Sequence, residues 1–402
     1  MSSLERYFQP NLAFIIVLAL AATQYATLVF YMLGGAPDFV VGGDFVAFWA
    51  AARETLNGDL VGLYAPDGLY LAFQEHRPEA VVDGLTWQYP PHASLLFSPI
   101  GYLPFELAYA AWCALGLGFF TWVLTKSDVR GRALIAILAT VPVLIVLNTG
   151  QNALFTAGLL MLAVFNVKQK PVLAGVAAAV LTLKPQLGIL IPVFFIAGGH
   201  WRAFIAAGVG SLLIWGGSVF ALGKETWFAF FEFIGVVSGS VTDGNMPLYK
   251  MLNVYAAARL AAIPESIATI LAGLSYLAAT AIVVWVCRKT SNPKWRYGIL
   301  ASATLLTAPY SMYYELVLLV PAIWFVVEQG HQAKWLKWER ESVAALLLLT
   351  LVLPGPATQI GASFCFLASA FAAVTIFRRV RVEFELPNST SNPAMAGGNE
   401  TI

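Results

Sequence analysis

The chain has 402 residues, of which 59% are hydrophobic and only 11% charged, with a net charge of +1. Soluble domains run at about 45–50% apolar and about 25% charged, so lipid is the expected main solvent. The near-neutral balance leaves no basic surface for nucleic acid.

Apolar runs recur along the chain and divide it into twelve expected spans. They cover residues 11–33, 104–125, 133–148, 152–167, 171–183, 187–198, 203–222, 264–287, 297–309, 313–328, 341–353 and 359–377. The first is too long for a signal-peptide core and long enough to cross a bilayer. Several others fall below the ~20 residues of a full crossing. The pairs 133–148/152–167 and 171–183/187–198 read either as short helices meeting at a cavity floor or as longer helices that absorb a polar break. With both termini in the cytoplasm, 17 of the 23 Lys and Arg residues fall in cytoplasmic breaks, the bias expected of a multi-pass plasma-membrane protein. The expected organisation is one all-α transmembrane domain over 1–385 and a disordered cytoplasmic tail over 386–402, rich in Pro, Ser, Asn and Gly. Two long outer loops, about 34–103 and 223–263, place the bulk of the non-membrane chain outside.

In the first outer loop, Gly43-Asp44 precedes FVAFWAAARETLN, with Phe45, Trp49, Ala52 and Leu56 at helical spacing. This predicts an amphipathic helix over Phe45–Asn57, lying on the membrane surface and ended by Gly58, with Trp49 at the interface. Asp44 reads as its N-cap, as a carboxylate placed to accept a proton, or as both. Trp87-Gln88-Tyr89-Pro90-Pro91-His92 reads as a rigid re-entry turn, or as a segment that puts Gln88, Tyr89 or His92 in a pocket. The amides of Asn148, Gln151 and Asn152 suit helix–helix hydrogen bonds or sugar hydroxyls equally. Lys184, beside Pro185-Gln186, is the lone cation of a long apolar run. It reads as a snorkelling lysine or as a phosphate contact. Further along, Asp243, Tyr249, Lys250 and Asn253 fit an ordinary loop, and Glu315 opens an apolar run after Tyr313-Tyr314. Asp44, Gln151, Lys184, Lys250 and Glu315 all fall on the outer face, a gathering that suggests a site. No cluster has metal-ligand spacing, and no glycine-rich loop would cradle a nucleotide phosphate. Cys113, Cys287 and Cys365 read as small buried hydrophobes.

The run from Gly43-Asp44 through Ala51-Ala52-Arg53, Gly58, Tyr64, Tyr89-Pro90-Pro91 and Pro99 resembles the first outer loop of glycosyltransferase family 87. Gly150-Gln151-Asn152, Lys184-Pro185-Gln186 and Pro309-Tyr310-Ser311 resemble its later motifs, so the likeness spans about residues 11–325. Where that family often carries an aromatic or His-rich stretch, this chain has Ser311-Met312-Tyr313-Tyr314-Glu315. The resemblance implies a GT-C type helical bundle. It also implies a polyprenyl-phosphate sugar donor, typically mannose, used on the periplasmic side with an envelope glycan or glycolipid as acceptor and no cofactor. On that pattern Asp44 is the catalytic base and Lys184 and Lys250 hold the donor phosphate. Tyr89, Gln151, Asn152, Gln186 and Glu315 bind sugar or acceptor. The rival readings are a transporter or flippase, a polysaccharide ligase using a diphosphate-linked donor, and a non-catalytic assembly protein.

Overall fold

A computed structural model describes residues 26, 43–76, 86–242, 247–352 and 365–385. The expected first span apart from residue 26, the 386–402 tail and Asp243 lie outside these residues. Among the described residues the chain is helical, and its one β-like feature is an isolated antiparallel bridge between Met251 and Met312. The helices are α1 (Phe45–Asn57), α2 (Gly68–His76), α3 (Pro91–Phe97), α4 (Phe105–Lys126), α5 (Arg132–Leu138), α6 (Val141–Thr149), α7 (Ala153–Phe165), α8 (Pro171–Val180), α9 (Pro185–Gly188) and α10 (Ile191–Ala197). They continue with α11 (Trp201–Leu222), α12 (Lys224–Thr242), α13 (Val254–Leu260), α14 (Glu265–Lys289), α15 (Pro293–Thr307), α16 (Leu319–Gln332), α17 (Glu339–Val352) and α18 (Cys365–Glu385).

Helices α4, α11 and α14 are long and apolar enough to cross a membrane, and each agrees with an expected span to within two residues. Helices α5 and α6, bent by 50° at their junction, make a fourth crossing if counted as one. Pro142 at the start of α6 explains the break, since proline fits the first helical turn but not a helix interior. Among the described residues, several of the other apolar runs form shorter helices, such as the 13 residues of α7. The stretch expected as the second outer loop is not irregular throughout: its first half is the 19-residue α12.

The core is set by the helices that are buried on every side. In α7 (ALFTAGLLMLAVF) eleven of 13 residues are buried, and in α15 every residue from Trp295 to Leu305 is buried. In a membrane protein a helix with no polar face is either enclosed by its neighbours or set against lipid, and these two are enclosed. Helices α11 and α14 instead turn leucine, isoleucine and phenylalanine outward, with Phe220 94% exposed. Such continuous apolar faces belong against lipid, and the protein is a helical membrane protein.

The structure corrects the reading of α1. Its bounds and its Gly58 stop are as expected, with Gly58 left-handed at φ +83°. Yet it does not lie on a surface. All eight residues from Phe45 to Ala52 are buried. Trp49 is 4% exposed and donates its indole N–H to the Leu103 carbonyl at 3.0 Å, so it is no interfacial anchor. Phe45 packs on Phe105, Tyr109 and Trp112, and Phe48 on Trp87, Tyr89, Phe97 and Trp112. Tilted and edge-on pairs of this kind add about 0.5–1.5 kcal/mol each beyond burial. The first turn of α1 is therefore held as rigidly as any core element, which matters for the residue just before it.

Candidate active site

Asp44 precedes α1 and is gripped through both backbone and side chain by the α6–α7 junction. Its N–H donates to the Thr149 carbonyl at 3.1 Å. Its carboxylate makes no capping bond to α1 and instead accepts from Gln151 Nε2 at 3.0 Å. The plain-cap reading therefore lacks its hydrogen bond. Gly150 makes the approach possible. It is left-handed at φ +70°, and a Cβ there would lie 2.5 Å from that of Phe45. From the other side, Trp112 donates to the Gly150 carbonyl at 2.9 Å and Tyr109 to that of Leu147. Gly150→Ala combines a left-handed alanine with an overlap against α1. It is expected to destabilise the protein by about 2 kcal/mol or more, read as a lower thermal midpoint in detergent. An unchanged midpoint would mean that the loop yields freely.

Three other segments meet Asp44. Pro90 is extended and Pro91 starts α3, so the double proline turns the chain and leaves Gln88 and Tyr89 facing inward. A short 3-10 turn and the proline-led α9 interrupt the helix at Lys184, which places Lys184 and Gln186 at the same opening. Finally, residues 248–253 pair with the α15–α16 junction. The Met251–Met312 bridge, the Leu252 N–H to Ser311 carbonyl bond (2.8 Å) and the Asn253 amide on the Ala308 and Pro309 carbonyls staple the two together. This brings Lys250 to the opening. Asn253 also caps α13 by accepting from the Ala256 N–H, so its role is structural.

The result is a cavity of about 220 Å³ lined by Asp44, Gln88, Tyr89, Gln151, Lys184, Gln186, Lys250, Tyr310, Tyr313 and Tyr314, among others. Six of the eight residues singled out in the sequence therefore line one space. Asn152 and Glu315 sit just behind its wall. Asn152 is buried, with its side-chain oxygen 3.4 Å from the Tyr89 hydroxyl. Glu315, in the 3-10 turn Tyr313–Leu318, is 1% exposed and does not line the cavity. Its carboxylate pairs with the Lys184 ammonium and also lies 3.4 Å from the Thr156 hydroxyl. Glu315, expected to bind sugar or acceptor, thus meets Lys184 and not the cavity itself. Snorkelling is excluded for Lys184, which is 4% exposed and held by protein. Gln151 is also committed, with its amide N–H on Asp44 and its oxygen 3.5 Å from the Tyr89 hydroxyl.

Burial pushes the Asp44 carboxyl above the usual carboxylate range. The Gln151 hydrogen bond, then the charges of Lys250 and Lys184, oppose that rise. A carboxylate lifted in this way is a better proton acceptor than a solvated one.

Tyr310, Tyr313, Tyr314 and Thr156 have no role assigned by the sequence alone. An aromatic run of this kind is also what interface anchors look like, so it does not by itself mark a site. Thr156 lies one turn beyond Asn152 on α7 and carries no signal.

Beside the polar cavity lies an apolar groove of about 440 Å³, lined by His92, Leu95, Leu96, Val180, Leu213, Ile214, Gly217 and Ser218. The wall between the two spaces is short. Tyr89 faces the cavity and His92 the groove; Leu183 faces the cavity and Val180 the groove. His92 and Thr182 are hydrogen-bonded at 3.3 Å within that wall. Burial pushes the His92 imidazole down to about 4, so the groove carries no charge from it at neutral pH.

The sequence model of glycosyltransferase family 87 matches residues 87–309, a stretch that includes every lining residue named above except Asp44 and the three tyrosines. No curated protein and no solved structure shows a significant match to the chain.

Proposed function

The chain belongs to glycosyltransferase family 87 and is a membrane glycosyltransferase, and from that premise we propose that it moves a sugar, mannose by preference, from a polyprenyl-phosphate donor to an envelope glycan or glycolipid. The reading places the reaction on the periplasmic side of the plasma membrane, in a GT-C type bundle of about twelve spans. The observation that carries it is the convergence of one carboxylate with a raised pKa, two lysines, amides and tyrosines on a single cavity. The adjoining apolar groove supports a donor with a hydrocarbon chain, since an anionic head and an apolar tail need neighbouring polar and apolar spaces.

Chemically, the acceptor hydroxyl oxygen attacks the anomeric carbon as the bond from that carbon to the phosphate oxygen breaks. The configuration inverts through an oxocarbenium-like state. Asp44 takes the hydroxyl proton. The phosphate keeps the bonding pair and leaves as polyprenyl phosphate with one more negative charge, which Lys184 and Lys250 face. Tyr89 and Gln186 line the space where sugar hydroxyls would sit, Gln151 holds Asp44 from the cavity wall, and Asn152 supports Tyr89 from behind.

The test is transfer by the purified protein from radiolabelled polyprenyl-phosphate mannose, with and without envelope lipid extract. Label is expected in a glycolipid or glycan. Label that moves only from a nucleotide sugar would overturn the donor assignment. Donor carried across a vesicle membrane with no new glycosidic bond would favour the transporter.

The rate should also depend on pH in a defined sense. Asp44 acts as base only when ionised, so kcat/KM is expected to rise with pH through a pKa above the usual carboxylate range. Lys250→Met removes a charge that lowers that pKa, so the acidic limb should move to higher pH. A limb that stays in place in that variant would separate Lys250 from Asp44.

A further inference from the structure

Lys184 is unusual among the cavity cations because its countercharge is built in. The ammonium faces the cavity, while Glu315 holds it from behind, and the two side chains are 5% and 2% exposed. The ammonium also lies over the rings of Tyr89 (5.7 Å) and Tyr314 (5.1 Å). The 3-10 turn Tyr313–Leu318 presents Tyr314 and Glu315 side by side, and its start is fixed by the Glu315 N–H on the Met312 carbonyl at 2.8 Å. A lysine caught between two rings and a carboxylate has little freedom to follow a ligand. Towards the cavity it acts as the positive end of a neutral pair rather than as a full charge.

The proposed reaction gives such a pair a use. The phosphate enters with one negative charge and leaves with two, and in the same step Asp44 becomes neutral. Both changes strengthen the hold on the product. An isolated buried lysine would strengthen it further, because charges inside protein are weakly screened. We propose that Glu315 is a positioning residue that fixes Lys184 and moderates its charge, so that the lipid phosphate is stabilised as it departs and is still released. This rests on the reading that a lipid phosphate is the leaving group in this cavity.

The full-length protein tests it through product inhibition by polyprenyl phosphate. In Glu315→Gln the inhibition constant should tighten by on the order of tenfold. kcat should fall as release slows, and donor KM should fall with it. Lys184→Met should weaken inhibition, and the double variant Lys184→Met/Glu315→Gln should lie between it and the wild type. The double variant leaves no lone buried charge, so it also guards against a single variant that fails to fold. Glu315→Asp keeps the charge but shortens the arm, so kcat should fall without tighter inhibition. A merely structural Glu315 would not order the inhibition constants in this way. A transferring Glu315→Gln enzyme with unchanged or weaker inhibition would overturn the proposal, as would a double variant no different from Lys184→Met. If the unaltered protein transfers nothing from a polyprenyl-phosphate sugar, the reading of the reaction fails first, and the role of Glu315 with it.

Discussion

Asp44→Asn is expected to lower kcat by about 10²–10⁴-fold while the protein remains folded, the range that general-base assistance supplies. The substitution suits the site because asparagine keeps an oxygen for the Gln151 N–H that Asp44 accepts at 3.0 Å. It removes the proton-accepting charge and leaves the shape alone. Stability should not fall. The folded-state pKa of Asp44 is raised, with burial as the largest cause. Any stability linked to this group is therefore present below its unfolded pKa and is lost as pH rises through the folded one. At neutral pH the fold carries the cost of a buried anion, which asparagine does not impose. A thermal midpoint equal to or above that of the wild type, with turnover down by the stated factor and donor KM little changed, is the expected combination. Turnover near wild type in the folded variant would remove Asp44 from the catalytic role.

The largest stability effect is expected far from that chemistry, at Arg379 and Glu339. Arg379 Nε donates to one Glu339 oxygen at 2.7 Å and Nη2 to the other, a bidentate pair that ties α18 to α17. Nη2 also reaches the Lys334 carbonyl at 2.8 Å, and the Leu336 N–H donates to Glu339 at 2.9 Å. Both residues are buried, Glu339 at 1% exposure. Arg379→Ala strands the carboxylate, and breaking a buried pair on one side costs about 3–5 kcal/mol. A large drop in thermal midpoint and in folded yield is expected, with turnover per folded molecule retained, because neither residue lines the cavity. Arg379→Met/Glu339→Leu should recover most of the loss, since replacing both charges by apolar groups of similar size is often neutral. A single variant as stable as the wild type would show that water reaches the pair.

Particular residues show how much of this was open to reading. Spacing of apolar residues found α4, α11 and α14, because a long helix against lipid must be apolar along its whole length. The same rule misplaced α1. Phe45, Trp49, Ala52 and Leu56 do share a face, but Val46, Ala47, Phe48, Ala50 and Ala51 fill the others. A helix apolar on most sides lacks the polar face that a surface helix needs, and that feature outweighs a stripe at helical spacing. In α12 the charged Lys224, Glu225 and Glu232 hid a helix within an expected loop.

The sequence by itself determined the membrane class, the positions of the long spans and the resemblance that put Asp44, Tyr89, Gln151 and Lys184 on one list. These follow from composition, periodicity and local motifs, which act over a few turns of chain. Only the tertiary structure decided what those residues do to one another. Gln151 meets Asp44 across 107 residues, and Lys184 meets Glu315 across 131. No local pattern encodes such a pair, because it forms only when separate helices pack and a proline or glycine opens the chain at the right level. Asp44 was legible as a carboxylate beside a helix. That it is buried, uncapped and held by an amide from the distant α6–α7 junction is a property of the packed bundle.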